Sequence, residues 1–146
     1  MGVLSDFFIA TEQELLDLSE PASPVAKFEG VTSTGVDVVM LCTLQQFACG
    51  NNEWEEIFDD CYVAPIKELG TEGPWIYQVS DELCKRLSSL NAPDITRYAK
   101  MWSETDEWIM SEEPDRSQTP RVLSDLVNLA RKATAKKKKM YLWTCL

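Results

Sequence analysis

The sequence predicts one α+β domain spanning residues 1–146, mostly helical, with a small sheet of about three strands. The length of 146 residues suits a single domain, and no repeat, low-complexity tract or long linker divides the chain. Apolar residues recur at helical spacing over most of it. Short segments rich in aromatic and β-branched residues occur near the N terminus, in the middle and at the C terminus. Because so few strands cannot enclose a core, helices must pack on the sheet.

The N-terminal half predicts a strand, a capped helix and a buried helix, in that order. Residues 3–9 (VLSDFFI) have the composition of a strand. Thr11 then opens a T-E-Q-E capping box, which predicts a helix that continues to about Ser19. Residues 36–48 are apolar nearly all round, and Gly50 follows them like a C-terminal cap. Their β-branched start is compatible with a strand, but their length favours a buried central helix.

The C-terminal half predicts a second strand, three helices and a closing strand. Residues 74–79 (PWIYQV) form the predicted second strand. Ser80, Asp94 and Thr119 each stand like an N-cap ahead of an amphipathic segment. Residues 140–146 (MYLWTCL) predict the last strand, because an apolar segment of this kind would be costly to leave exposed.

Side chains in the closing strand should alternate between the two faces of the sheet. Tyr141 and Trp143 are therefore expected on one face, which we predict to be buried, with Leu142 on the other. The alternative is a free C-terminal tail, since Thr144-Cys145-Leu146 is similar to ligands that add a strand to a peptide-binding domain. The lysines that precede the segment favour a turn that returns the chain to the sheet.

The charge of the chain is acidic and unevenly distributed. The formal net charge is −10. Residues 1–73 contain 14 acidic residues and two lysines, a net charge of −12, whereas residues 74–146 contain 10 acidic and 12 basic residues, a net charge of +2. Such a field repels nucleic acid and attracts basic partners. The run 136–139 is basic, and we interpret it as a solvated turn rather than a site for phosphate or lipid.

Several classes of function are disfavoured by what the sequence lacks. It has no histidine, which removes Ser-His-Asp and Cys-His catalysis and HExxH zinc sites. No apolar run is long enough to span a membrane, and the N terminus lacks the basic start of a signal peptide. The five cysteines show no CxxC spacing, so we expect reduced thiols and a cytoplasmic location. No motif indicates a cofactor, and we predict none.

Residues 53–61 (EWEEIFDDC) predict a short amphipathic helix with four carboxylates on its polar face. Its inward apolar side chains are Trp54, Ile57, Phe58 and Cys61. The carboxylates form two pairs at i, i+4 spacing, Glu55 with Asp59 and Glu56 with Asp60. Paired carboxylates are ligands for Mg²⁺ or Ca²⁺, but this spacing matches no metal-binding loop. The favoured interpretation is a solvated face that is open to a basic partner.

A second acidic zone surrounds the end of the predicted helix that starts at Asp94. It comprises Glu104, Asp106, Glu107, Glu112, Glu113 and Asp115. Among the five tryptophans, Trp108 is the best candidate for an exposed contact, because it lies between Glu107 and an acidic loop. The predicted partner-binding residues are therefore Glu55, Glu56, Asp59, Asp60, Glu107 and Trp108.

The order of several short motifs resembles the YfbM-like bacterial domains of unknown function. These motifs are a Met-Gly start, a capped helix, an LxxFxxG element at Leu44, Phe47 and Gly50, and a Gly-Pro-aromatic strand that leads into Ser80-Asp81-Glu82-Leu83. The tryptophan–histidine pair of that family's central helix is absent here. The resemblance implies a small α+β fold and no established activity, and it carries over no residue role.

Two hypotheses of function follow from the sequence. The first is a small acidic bacterial interaction protein that binds a basic protein partner, for example an immunity-type inhibitor of a basic toxin. The second is an enzyme that uses carboxylates, with a divalent metal as one version. The lack of catalytic motifs favours the first.

Overall fold

The computed structural model describes residues 4–50, 53–112 and 115–145. The strands within these ranges are β1 (Leu4–Ala10), β2 (Gly30–Thr34), β3 (Lys67–Glu68), β4 (Trp75–Gln78) and β5 (Lys139–Cys145). The helices are α1 (Glu12–Asp17), α2 (Val38–Cys49), α3 (Trp54–Ile57), α4 (Asp81–Ser88), α5 (Ala92–Ser103), α6 (Asp106–Ile109) and α7 (Thr119–Lys136). A π-helical turn (Phe58–Tyr62) follows α3 directly, and a 3-10 turn (Arg116–Gln118) precedes α7. None of the described helices is both long and apolar enough to cross a membrane.

The predicted α+β class is confirmed, but the predicted sheet of about three strands is wrong. The sheet has five antiparallel strands in the order β2-β1-β5-β4-β3. The two strands that the sequence did not reveal are its edges. β2 has the small, polar sequence GVTST, and β3 is two residues long. An edge strand pairs along one side only and needs little apolar surface, so its composition carries a weak signal.

The predicted closing strand is β5, and it lies in the centre of the sheet between β1 and β4. Tyr141 and Trp143 share one buried face, as predicted, and pack in the smaller core on the α1 side of the sheet. Met140 and Leu142 point to the opposite face and join the larger core under the helices. Leu146 and Val3, the end residues of two predicted strands, lie outside the described residues.

Helix α2 is the central helix of the larger core, as its apolar sequence predicts. The Asp37 side chain caps its start by accepting a hydrogen bond from the Met40 N–H (2.9 Å). Gly50 ends it with a φ of 75°, a conformation that glycine adopts without steric cost. The Trp102 indole N–H donates to the Met40 carbonyl oxygen (2.9 Å) and ties α5 to α2. Because α3 and α6 also pack on α2, this helix positions both segments that carry the predicted site residues.

The segment predicted as a helix over residues 53–61 changes its winding halfway. α3 ends at Ile57, and the π-helical turn follows. A π turn contains more residues per turn than an α-helix, so the inward position moves from Cys61 to Tyr62. Tyr62 is fully buried, and its hydroxyl accepts a hydrogen bond from the Ser80 N–H (3.1 Å). This bond anchors the π turn to the start of α4.

Candidate functional site

An open cavity of about 520 Å³ lies between α2, α3 and the π turn. Val39, Trp54 and Phe58 form its apolar wall, and all three are half-buried. Glu55 and Asp59 form its polar rim, and both are exposed. An apolar depression bordered by a few charged groups is typical of binding sites, because the apolar area supplies affinity and the charges supply orientation.

The structure separates the four predicted carboxylates of this segment into two pairs. Glu55 and Asp59 line the cavity, whereas Glu56 and Asp60 are exposed and take no part in its lining. Within the described ranges, none of the four side chains has an ion-pair or hydrogen-bond partner. Their charges are therefore not neutralised by any described residue and are open to another molecule.

The basic C-terminal segment leaves this acidic surface uncovered, because its lysines pair elsewhere. The ion pairs join Lys132 and Lys136 to Glu29, Lys138 to Glu14 (3.2 Å), and Lys139 to Glu12 and Asp81 (3.4 Å each). The lysine run is thus more than a solvated turn. Pairs as exposed as these contribute little stability, but they place the basic charge on carboxylates of α1, of α4 and of the segment before β2, none of which belongs to α3 or to the π turn.

The exposed contact that was predicted for Trp108 is wrong. Its side chain is fully buried and meets the Trp102 ring edge to face, with centroids 5.1 Å apart. The physical reason is a break in the predicted long helix: α5 ends at Ser103, and α6 begins at Asp106. The short α6 packs against α2 and turns Trp108 into the core. This tryptophan therefore stabilises the fold and offers no surface to a partner.

Glu107 approaches α2 but does not line the cavity. It is half-buried, and its negative charge contributes to the raised pKa of the Cys42 thiol. Burial is the largest cause and raises that pKa to about 12. The structure thus brings Glu55 and Asp59 together at one site and leaves Glu107 apart from them.

Sequence reasoning missed the apolar half of the site. Trp54 and Phe58 were expected in the core, whereas each is half-buried and lines the cavity. One signal was available in the sequence. Trp54 and Phe58 are four residues apart, as are Glu55 and Asp59, so each pair lies on one face of a helix. Each aromatic residue directly precedes one of the acidic residues. Both pairs therefore lie at the boundary between the apolar and acidic faces.

The described residues offer little support for metal-dependent or thiol chemistry. No group of three or more His, Cys, Asp or Glu within residues 4–50, 53–112 and 115–145 is arranged to hold a metal ion. Glu113 of the second acidic zone lies outside these ranges. Burial raises the pKa of Cys49 to about 11 and also raises the pKa values of Cys61 and Cys84, so these thiols are poor nucleophiles at neutral pH.

Comparisons with protein-family models, with curated proteins and with solved structures find no match for this chain. The resemblance to the YfbM-like domains therefore stays a prediction. Since a fold does not by itself determine a function, the function has to be argued from the site.

Proposed function

We propose that this chain is a small bacterial, cytoplasmic interaction protein that binds a basic protein partner at the cavity between α2, α3 and the π turn. The observation that carries the proposal is the juxtaposition of Trp54 and Phe58 with Glu55 and Asp59 around one open cavity. An inhibitor of the immunity type, which binds a basic toxin, is the most concrete version.

The chemistry of the cavity favours an arginine or lysine that stands next to an apolar residue of the partner. The aliphatic stem of such a side chain packs on the rings of Trp54 and Phe58, while its charged end reaches Glu55 or Asp59. Aromatic anchors in depressions of this kind usually supply most of the binding free energy. The carboxylates supply orientation and discrimination against acidic partners.

The charge distribution of the chain also favours a basic partner. The first 73 residues carry a net charge of −12, and Lys136, Lys138 and Lys139 pair with Glu29, Glu14 and Glu12, none of which belongs to α3. The remaining negative field should speed the encounter with a basic protein. Because salt screens such a field, association should slow as ionic strength rises.

Two charge reversals on the same segment test the proposal. Glu55→Lys with Asp59→Lys changes the rim of the cavity, whereas Glu56→Lys with Asp60→Lys makes the same change in net charge outside its lining. Each variant is titrated with two synthetic peptides of equal charge, one alternating arginine with leucine and one alternating arginine with glycine. The indole N–H signal of Trp54 and calorimetry report binding.

We expect the arginine–leucine peptide to shift the Trp54 signal and to bind the first variant at least about tenfold more weakly, a loss of about 1.4 kcal/mol. The matched variant, Glu56→Lys with Asp60→Lys, should lose much less affinity for this peptide. A partner captured from a bacterial lysate should likewise be lost with the first variant and kept with the second. Equal losses in both variants, or equal binding of the arginine–glycine peptide, would show that net charge and not the cavity is recognised.

A further inference from the structure

A second cavity, of about 370 Å³, lies between α5 and the first two turns of α7. The charged residues that line it are basic, whereas those of the cavity beside α3 are acidic. Lys100 and Arg116 line it, and no carboxylate among the described residues contributes to its lining, although the chain contains 24 acidic residues. Ile95, Ala99 and Pro120 supply an apolar wall.

The basic side chains of this cavity are unusual because neither has a side-chain partner among the described residues. Of the 14 basic residues, seven form ion pairs and three donate to backbone carbonyl oxygens. The other four, which have no side-chain partner among the described residues, are Lys85, Lys100, Arg116 and Lys137. Two of these four therefore line one cavity.

A third donor without a partner completes the set. The Ser124 hydroxyl, half-buried on α7, has no hydrogen bond to any described residue. The hydroxyls of Ser103 and Ser117 already donate, to the Lys100 carbonyl oxygen (2.7 Å) and to the Asp115 carboxylate. Three donors of different kinds, an ammonium, a guanidinium and a hydroxyl, thus belong to lining residues and have no partner among the described residues.

Asp115 directly precedes Arg116, and its contacts show why it does not pair with that guanidinium. Its carboxylate accepts hydrogen bonds from the N–H (2.7 Å) and the hydroxyl of Ser117. These bonds cap the 3-10 turn before α7 and lower the pKa of the carboxyl group. Asp115 is therefore engaged within its own turn, and Arg116 is left without an ion pair among the described residues.

We infer that the cavity between α5 and α7 binds a small phosphate monoester whose phosphate contacts Lys100, Arg116 and Ser124. A phosphate monoester presents three terminal oxygens and a charge of about −1.5 to −2, which matches two cations better than the single charge of a carboxylate does. Arginine binds phosphate through its planar fork, and lysine binds it as a compact charge. The cavity is larger than a phosphate group needs, and its apolar wall leaves room for a compact organic body.

The test compares phenyl phosphate, inorganic phosphate and phenol by calorimetry and by amide chemical shifts. Phenyl phosphate should bind most tightly and shift the amides of Ala99, Arg116 and Ser124. Lys100→Gln and Arg116→Gln should each weaken it at least about tenfold. Lys85→Gln, which removes another exposed basic residue without a partner, is the matched control and should leave the affinity within about twofold.

The pH dependence gives an independent readout. The chain has no histidine, the side chain that ordinarily changes charge between about pH 5 and pH 8. The second ionisation of a phosphate monoester lies near pH 6, so affinity should fall as the pH drops below it. An affinity that stays constant over this range would overturn the assignment of a dianion.

Three other results would overturn the inference: no binding of phenyl phosphate at millimolar concentration, equal binding of inorganic phosphate, or an equal loss in Lys85→Gln. The Glu55→Lys, Asp59→Lys variant should keep its affinity for phenyl phosphate, because the acidic cavity shares no lining residue with this one. Failure of the phosphate site and failure of the proposed partner site are thus distinguishable.

Discussion

Two buried tryptophans that touch each other allow the cost of an unsatisfied indole N–H to be measured in this core. Trp102 and Trp108 are both fully buried, and their rings meet edge to face. The Trp102 N–H donates to the Met40 carbonyl oxygen (2.9 Å), whereas the Trp108 N–H has no partner among the described residues. Substitution by phenylalanine removes the N–H and part of the ring system at either position.

We expect Trp102→Phe to lower the free energy of unfolding more than Trp108→Phe does. Each variant loses a similar apolar area and weakens the same mutual contact, so those losses largely cancel in the comparison. A satisfied hydrogen bond contributes about 0.5–1.5 kcal/mol, and an unsatisfied buried donor costs about 1–3 kcal/mol. Trp102→Phe loses a satisfied hydrogen bond, whereas Trp108→Phe removes an unsatisfied donor. The free energies of unfolding of the two variants should therefore differ by about 1.5–4.5 kcal/mol. The Met40 oxygen keeps the Thr43 hydroxyl as a donor (2.9 Å) in either case.

Equilibrium unfolding in urea, followed by far-ultraviolet circular dichroism, measures the two free energies. Trp143→Phe is the control, because Trp143 is 5% exposed and its N–H also lacks a partner among the described residues. The change in the free energy of unfolding in Trp143→Phe should be close to that in Trp108→Phe. If the free energies of unfolding of Trp102→Phe and Trp108→Phe differ by less than about 0.5 kcal/mol, a buried water must satisfy the Trp108 N–H, and the reasoning fails.

Three further predictions concern single residues. Lys137 ends α7 with a φ of 55°, so Lys137→Gly should raise the free energy of unfolding by about 1 kcal/mol in a thermal melt, whereas Ala135→Gly within the helix should lower it by a similar amount. A hydrogen bond from the Thr11 backbone lowers the pKa of Glu14 below its ordinary 4.5, so Glu14 stabilises the fold at neutral pH and loses this effect as the pH falls through the lowered pKa. The stability gap between the wild type and Glu14→Gln should therefore shrink from about pH 7 to about pH 3, and a constant gap would contradict the assignment. Cys42, buried and with its pKa raised to about 12, should resist a thiol reagent until the chain unfolds, and rapid labelling in the folded state would contradict this.

The elements that could be predicted are those whose signals lie within a few residues of one another. The capping box at Thr11 has both of its expected bonds, from the Glu14 N–H (3.1 Å) and to the Glu14 carboxylate (3.0 Å). The end of α2 at Gly50 is equally local, whereas the cap at Asp37 was not predicted. The closing strand was predictable because its alternating apolar residues fill both faces of a central strand.

The elements that could not be predicted depend on contacts between distant parts of the chain. β2 is a strand because its backbone pairs with β1, and its side chains give little indication of this. The π turn depends on the bond between Tyr62 and the start of α4. The apolar half of the candidate site needs Val39 of α2 beside Trp54 of α3, which no pattern within either helix reveals.

The placement of ion pairs explains how one acidic chain presents two surfaces of opposite charge. Lysines of the C-terminal half neutralise Glu12, Glu14 and Glu29, so most of the acidic sequence around α1 carries little free charge. Among the described residues, the carboxylates of α3 and the π turn have no such partner. Lys100 and Arg116, which line the cavity between α5 and α7, have none either. Exposed pairs stabilise a fold only weakly, so their main consequence is to decide where the unpaired charge remains. At both candidate sites unpaired charge lies beside an apolar cavity wall, and this coincidence, rather than the net charge of −10, is the stronger argument for binding.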